Sequence, residues 1–190
     1  MSLLVVGLVL FLGIHSIRIV AEPVRTKLVA ALGMRGFKAL YSVLSLIGLV
    51  FIVIGYGQAR LEPTWLYHPP PFLRHLNMVL MLLVFPALLA AHLPGRIQRW
   101  LKHPLLVATM AWSLAHLLVN GSLAGVVLFG SFLIWAIADR IALIKRPDSS
   151  SPQLPAWPIN DLIVIAGGLG LYAAFAFWLH PILFGVAVMG

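Results

Sequence analysis

Residues 104–144 read PLLVATMAWSLAHLLVNGSLAGVVLFGSFLIWAIADRIALI, and from Pro104 to Ala138 they contain no Asp, Glu, Lys or Arg. A bilayer core of about 30 Å is crossed by a helix of about 20 apolar residues, so this run is too long for one crossing. Asn120-Gly121-Ser122 divides it, with the residue types of a tight turn. The spacing therefore predicts two helices, 104–120 and 122–144, joined as an antiparallel hairpin. That hairpin sets the fold class: an all-α, polytopic transmembrane bundle.

The rest of the chain agrees. It has 190 residues, 62% hydrophobic and only 9% charged. A soluble domain carries roughly 25% charged residues, and so few could not cover a water-facing surface. Four further apolar runs qualify as crossings, at 3–21, 39–57, 72–93 and 161–182, which makes six in one domain spanning 1–190. The segment 146–158 (RPDSSSPQLPAWP) reads as a flexible linker. The loop 22–38 carries the pattern of a short interfacial helix from Val24 to Leu32. Nothing before the first run resembles a basic leader, so it is read as a retained helix.

The net charge of +8 raises the question of nucleic acid. The cations lie in short loops between apolar runs, which is how topology is encoded, and no nucleic-acid partner is expected. Arg18, Arg25, Lys27, Arg35 and Lys38 flank the first connection. Arg96, Arg99 and Lys102 flank the third, and Arg140, Lys145 and Arg146 the fifth. The second has only Arg60 and Arg74. In a bacterial inner membrane the odd connections are then cytoplasmic and both termini lie on the non-cytoplasmic side. With no cysteine in the chain, disulfides and thiolate ligands are excluded.

This topology sorts the seven histidines by depth. At 1.5 Å per residue, His15 lies about 18 Å below the outer edge and His116 about 18 Å above the cytoplasmic edge. His92 and His103 fall near the cytoplasmic face, His75 and His180 near the outer face, and His68 in the second loop. An ionisable side chain at membrane depth is costly and marks a site. Two imidazoles at similar depth on different helices suit a haem held between them, since the neutral ring nitrogen ligates iron well. The plainer reading is a buried histidine tying neighbouring helices together by a hydrogen bond.

Arg18, three residues after His15, is a candidate partner for a haem propionate, or else an interfacial arginine that snorkels. Trp112, one turn before His116, is a candidate wall for a flat ligand, or else packing. Asn120 orients a polar group or makes the turn. Asp139-Arg140 reads as an interfacial pair. Pro104 suits the first turn of a helix, with His103 before it, and Pro181 after His180 kinks or ends the last helix.

Three stretches carry a family resemblance: GIHSIRI (13–19), HPLLVATMAWSLAHLLVNGSLAGVVLFG (103–130) and WLHPILFG (178–185). Together they resemble the NnrU family of membrane proteins, which is similar to the 15-cis-zeta-carotene isomerase of plants and cyanobacteria. The resemblance implies a role linked to nitrate, nitrite or nitric oxide metabolism. By way of the isomerase it also implies a haem b with two axial histidines, mapping onto His15 and His116. It further implies redox-gated cis–trans isomerisation of a polyene or similar lipid, with an unknown redox partner. Lys102 stands where the isomerase has Arg, and the loops here are shorter, which weakens the transfer of substrate more than of cofactor.

Other function classes remain in view. In the same fold a haem could serve as an electron carrier or sensor without catalysis. A cofactor-free assembly factor is a third class. An isoprenylcysteine-type methyltransferase shares an HP motif, but the Tyr and Gly expected after His103-Pro104 are missing and no Glu follows Glu62. Transport is disfavoured by the lack of carboxylates in mid-bundle and of any visible repeat.

Overall fold

In a computed structural model, residues 1–145 and 157–188 are described. They form α1 (Ser2–Val20), α2 (Glu22–Ala59), α3 (Leu73–Ala90), α4 (Arg96–Leu101), α5 (Pro104–Val119), α6 (Leu123–Ile144) and α7 (Pro158–Ala174). A π-helical turn, Phe175–Leu179, leads from α7 into α8 (His180–Phe184). Among the described residues there is no strand, only one isolated antiparallel bridge between Trp65 and Ser122. Most of the expected 146–158 linker lies outside the described residues.

Five helical segments are long and apolar enough to cross a membrane. The sixth expected crossing, α5, has 16 residues, or about 24 Å, and is shorter than the hydrocarbon core. Large apolar side chains face outward along the bundle: Val9 is 69% exposed, Ile134 71% and Ile182 77%. In water such a surface would drive association, whereas in lipid it is solvated.

The helices pack as a row in the order α2, α1, α6, α5, α3, α7. The row curls, because Arg60 at the end of α2 donates to the Phe184 carbonyl at the end of α8, 3.2 Å away. Lipid supplies no hydrophobic drive between helices, so close contact needs small residues. Gly7, Gly48 and Gly55 form such a seam between α1 and α2. A Cβ on Gly7 would stand 2.6 Å from the Ile52 nitrogen, and one on Gly48 2.8 Å from the Phe11 nitrogen. Leu4, Leu8, Ile52, Ala124, Leu128 and Phe129 close the core where α1, α2 and α6 meet.

The structure departs from the expected boundaries at three places. The loop expected at 22–38 is helical and continuous with α2, except at Gly33, whose φ of 68° and ψ of 166° break the helix. The segment 22–32 is helical, as expected from Val24 to Leu32, and starts two residues earlier, with Pro23 in its first turn. The short helix α4 has no signature in the apolar pattern. Its first two free amides, from Arg96 and Ile97, donate to the Asp161 carboxylate on α7 at 3.1 Å each. The last helix runs from Pro158 through the π turn to Phe184, so Pro181 does not end it but follows directly on the π turn, and the helix ends at Gly185 with φ 68°.

Candidate functional site

His15 projects from α1 into the junction with α2 and α6. Its ring stacks on Phe11 at 4.2 Å between centroids and meets Tyr41 of α2 at 5.1 Å and Trp135 of α6 edge-on at 6.0 Å. Its Nδ1 lies 2.7 Å from the Phe11 carbonyl oxygen, four residues back on the same helix. A carbonyl only accepts, so Nδ1 carries the proton and Nε2 holds a bare lone pair.

His116 repeats this arrangement on α5. Its Nδ1 donates to the Trp112 carbonyl at 2.9 Å, again four residues back. The ring stacks on Phe129 of α6 at 4.7 Å and lies 5.2 Å from Trp112. Both sites therefore share one local motif, an aromatic residue followed four positions later by histidine. The helix places each imidazole over the preceding turn, where the free carbonyl direction and the aromatic ring are both in reach.

The C-terminal end of α5 is clamped. Gly121 accepts from the amides of Leu66 at 2.8 Å and Tyr67 at 3.2 Å, and the Leu123 amide donates to the Thr64 carbonyl at 2.7 Å. The Tyr67 hydroxyl donates to the carbonyls of Leu117 and Asn120. Asn120 is spent on the helix end, its side-chain amide donating to the His116 carbonyl at 2.9 Å. Ser122 caps α6 by accepting from the Gly125 amide. The Asn-Gly-Ser turn is thus a hydrogen-bonded corner one turn beyond His116.

The two imidazoles do not touch. The helices α1 and α5 do not pack on each other, and α6 stands between them. Phe132 of α6 bridges the two clusters, 5.8 Å from Phe11 and 5.6 Å from Trp112 between centroids. Along α6, His116 sits level with Phe129 and His15 with Trp135. Six residues separate these, about 9 Å in depth, somewhat more than the topology suggested. Trp112 packs its faces and edges among His116, Phe129 and Phe132. Arg18 has interactions of its own one turn beyond His15.

Several polar atoms around these rings lack partners among the described residues. Ser113 Oγ, three residues before His116, Ser45 Oγ on α2, and Trp135 Nε1 beside His15 are all buried and unpaired. Buried unpaired donors are uncommon and invite a ligand explanation. No group of three or more His, Cys, Asp or Glu among the described residues is arranged to hold a bare metal ion. An axial pair needs only two nitrogens, because a macrocycle supplies the rest.

As donors, the residues fit a haem. Each histidine is oriented by a backbone carbonyl, as metal-ligating histidines usually are, with aromatic rings around it. Phe132 stands between the two clusters, in ring contact with Phe11 and with Trp112.

The other histidines are placed differently. The His68 ring stacks on Trp65 at 5.3 Å. His180 Nδ1 donates to the Val186 carbonyl at 2.8 Å. His103 precedes α5, where burial and the nearby Arg140 guanidinium hold its imidazole below the ordinary range, against a smaller opposing effect of Asp139.

Phe11, Tyr41, Phe129, Phe132 and Trp135 were not singled out from the sequence. The signal was available in the paired four-residue spacings Phe11–His15 and Trp112–His116 and in the three-residue spacing along α6. Compared with known families, residues 3–188 match the family model described as NnrU protein. No curated protein and no solved structure matches the chain.

Proposed function

Because this chain belongs to the NnrU family, we propose that it is an integral membrane haem b protein whose haem would be held by His15 and His116. One observation carries this reading. A histidine that merely ties helices together would hydrogen-bond across to a neighbour. Here each imidazole donates to its own helix at i−4 and leaves the other nitrogen without a protein partner. Both rings are half-buried in the helix bundle, and in a bilayer a ring nitrogen with no partner among the described residues is a cost that binding a metal would offset.

In this reading the protein does three things. The Phe11 and Trp112 carbonyls fix the tautomer, and the aromatic residues exclude water. The clamp at Gly121 holds the α5 end that bears His116. A haem bound there would supply one-electron chemistry. The finer proposal is a redox-gated cis–trans isomerase acting on a polyene or similar lipid that enters from the bilayer. A haem-based carrier or sensor linked to nitrate, nitrite or nitric oxide metabolism would share the same ligands without the chemistry.

The test is the absorption spectrum of detergent-purified protein, oxidised and dithionite-reduced, for wild type, His15→Ala and His116→Ala. The expected result is a Soret band with sharp low-spin bands, lost or shifted in both variants. If the reduced wild type keeps both ligands, the carrier is favoured over the isomerase. A colourless wild type after haem supplementation during expression would overturn the haem reading.

A further inference from the structure

We propose that the segment Pro23–Leu32, set off from the rest of α2 by the break at Gly33, is a docking surface for anionic phospholipid headgroups. The argument begins with length. The 38 residues of α2 would span about 57 Å as one straight rod, nearly twice the hydrocarbon core. The 26 residues after Gly33 already suffice to cross, so the leading segment lies outside the core.

The backbone turns where the crossing begins. Gly33 takes φ 68° and ψ 166°, a conformation open to glycine and strained for any other residue. A Cβ at Gly33 would meet nothing within 4 Å, so glycine is there for its backbone and not for close packing.

The arm is two-sided. Val24, Leu28, Ala31 and Leu32 fall on one arc of the helix, and Val24 and Leu32 are exposed. Lys27 flanks that arc on one side and Arg25 on the other. Arg25 is already engaged, bonded to Glu22 at 2.8 Å and lying over the Phe37 ring at 5.7 Å. Lys27, Arg35 and Lys38 are exposed and have no ion-pair partner among the described residues. An apolar arc edged by Lys27, with the exposed cations Arg35 and Lys38 just past the break, is the pattern of a helix lying in the membrane interface, its lysine stem along the apolar boundary and its charge at phosphate level. Each such cation adds to attraction toward an anionic leaflet.

The proposal stands without the haem. Since the chain has no cysteine, single cysteines report one position each. Full-length protein would carry a spin label at position 24, 28 or 32, or at 26 or 30. It would be reconstituted in vesicles of one part phosphatidylglycerol to two parts phosphatidylcholine, or of phosphatidylcholine alone. Collision with oxygen and with a water-soluble nickel chelate then reads depth. In the anionic vesicles, labels at 24, 28 and 32 should favour oxygen, and labels at 26 and 30 should favour nickel. In neutral vesicles, and in the K27E/R35E/K38E variant in either vesicle, this alternation should be lost.

Gly33→Ala, which favours a straight helix, should lose it in all vesicles. Should that variant misfold, the charge variant still decides. Uniform access to nickel in anionic vesicles would overturn the proposal. So would an alternation unchanged by lipid charge and by charge reversal, since apolar burial alone would then explain it.

Discussion

The surroundings of His15 and His116 are built alike at the ring and differently around it. Each imidazole donates to a carbonyl at i−4 and stacks on an aromatic ring. Beyond that, His116 stands one turn from a corner tied by hydrogen bonds from Leu66, Tyr67 and Leu123. Apart from its own hydrogen bond, His15 is held among the described residues by packing, by rings from three helices and the glycine seam that brings α1 against α2. Hydrogen bonds in a low-dielectric setting fix one geometry, whereas packed apolar faces tolerate small shifts. One histidine is therefore clamped, and the other sits among compliant aromatic packing.

The sharpest way to break this contrast is at the clamp. A methyl at Gly121 would overlap the Tyr67 carbonyl oxygen. Gly121→Ala should cost more than about 3 kcal/mol, or prevent folding, read as loss of monodisperse protein and a lower Tm. The seam comes next. Gly48→Ala would drive a methyl into the backbone of Phe11, whose ring stacks on His15. It should cost about 1–3 kcal/mol as an overpacking change and disturb His15 more than His116, as measured by amide exchange along α1 and α5.

A milder change sharpens the comparison. Tyr67→Phe removes the hydroxyl that binds the Leu117 and Asn120 carbonyls. It should cost about 1 kcal/mol and raise exchange at the end of α5 while leaving α1 unchanged. Equal effects on both helices would erase the distinction.

The smallest expected effect concerns pH. His103 has a folded pKa below its unfolded value, through burial and Arg140. The unfolded chain therefore takes up the proton first as pH falls below about 6.5, and stability declines from there down to the folded pKa. His103→Gln should flatten the dependence of Tm on pH in that window and leave it unchanged above.

Much of the fold was legible because lipid imposes a simple rule on sequence. Long uncharged runs gave the crossings, and Asn120-Gly121-Ser122 gave the α5–α6 corner to within a residue or two. What was not legible depends on distant partners. The helix α4 is six residues long and is capped by Asp161 from another helix. The left-handed backbone at Gly33 and the π turn before His180 follow from local geometry that hydropathy does not encode.

The site divides in the same way. His15 and His116 stood out because imidazoles are costly at depth. That α6 lies between their helices, with Phe132 joining the two clusters, is a matter of neighbour order, which no single-helix pattern contains.

The central claim is that His15 and His116 hold one haem, and ligand rescue tests it most directly. His15→Gly and His116→Gly would each be purified with haem, and the ferric spectrum recorded before and after adding imidazole. The account predicts that each variant loses the six-coordinate low-spin spectrum and regains it with free imidazole, which replaces the missing side chain. A wild-type low-spin spectrum that survives in both variants without imidazole would contradict it, because the iron would then be held by other residues.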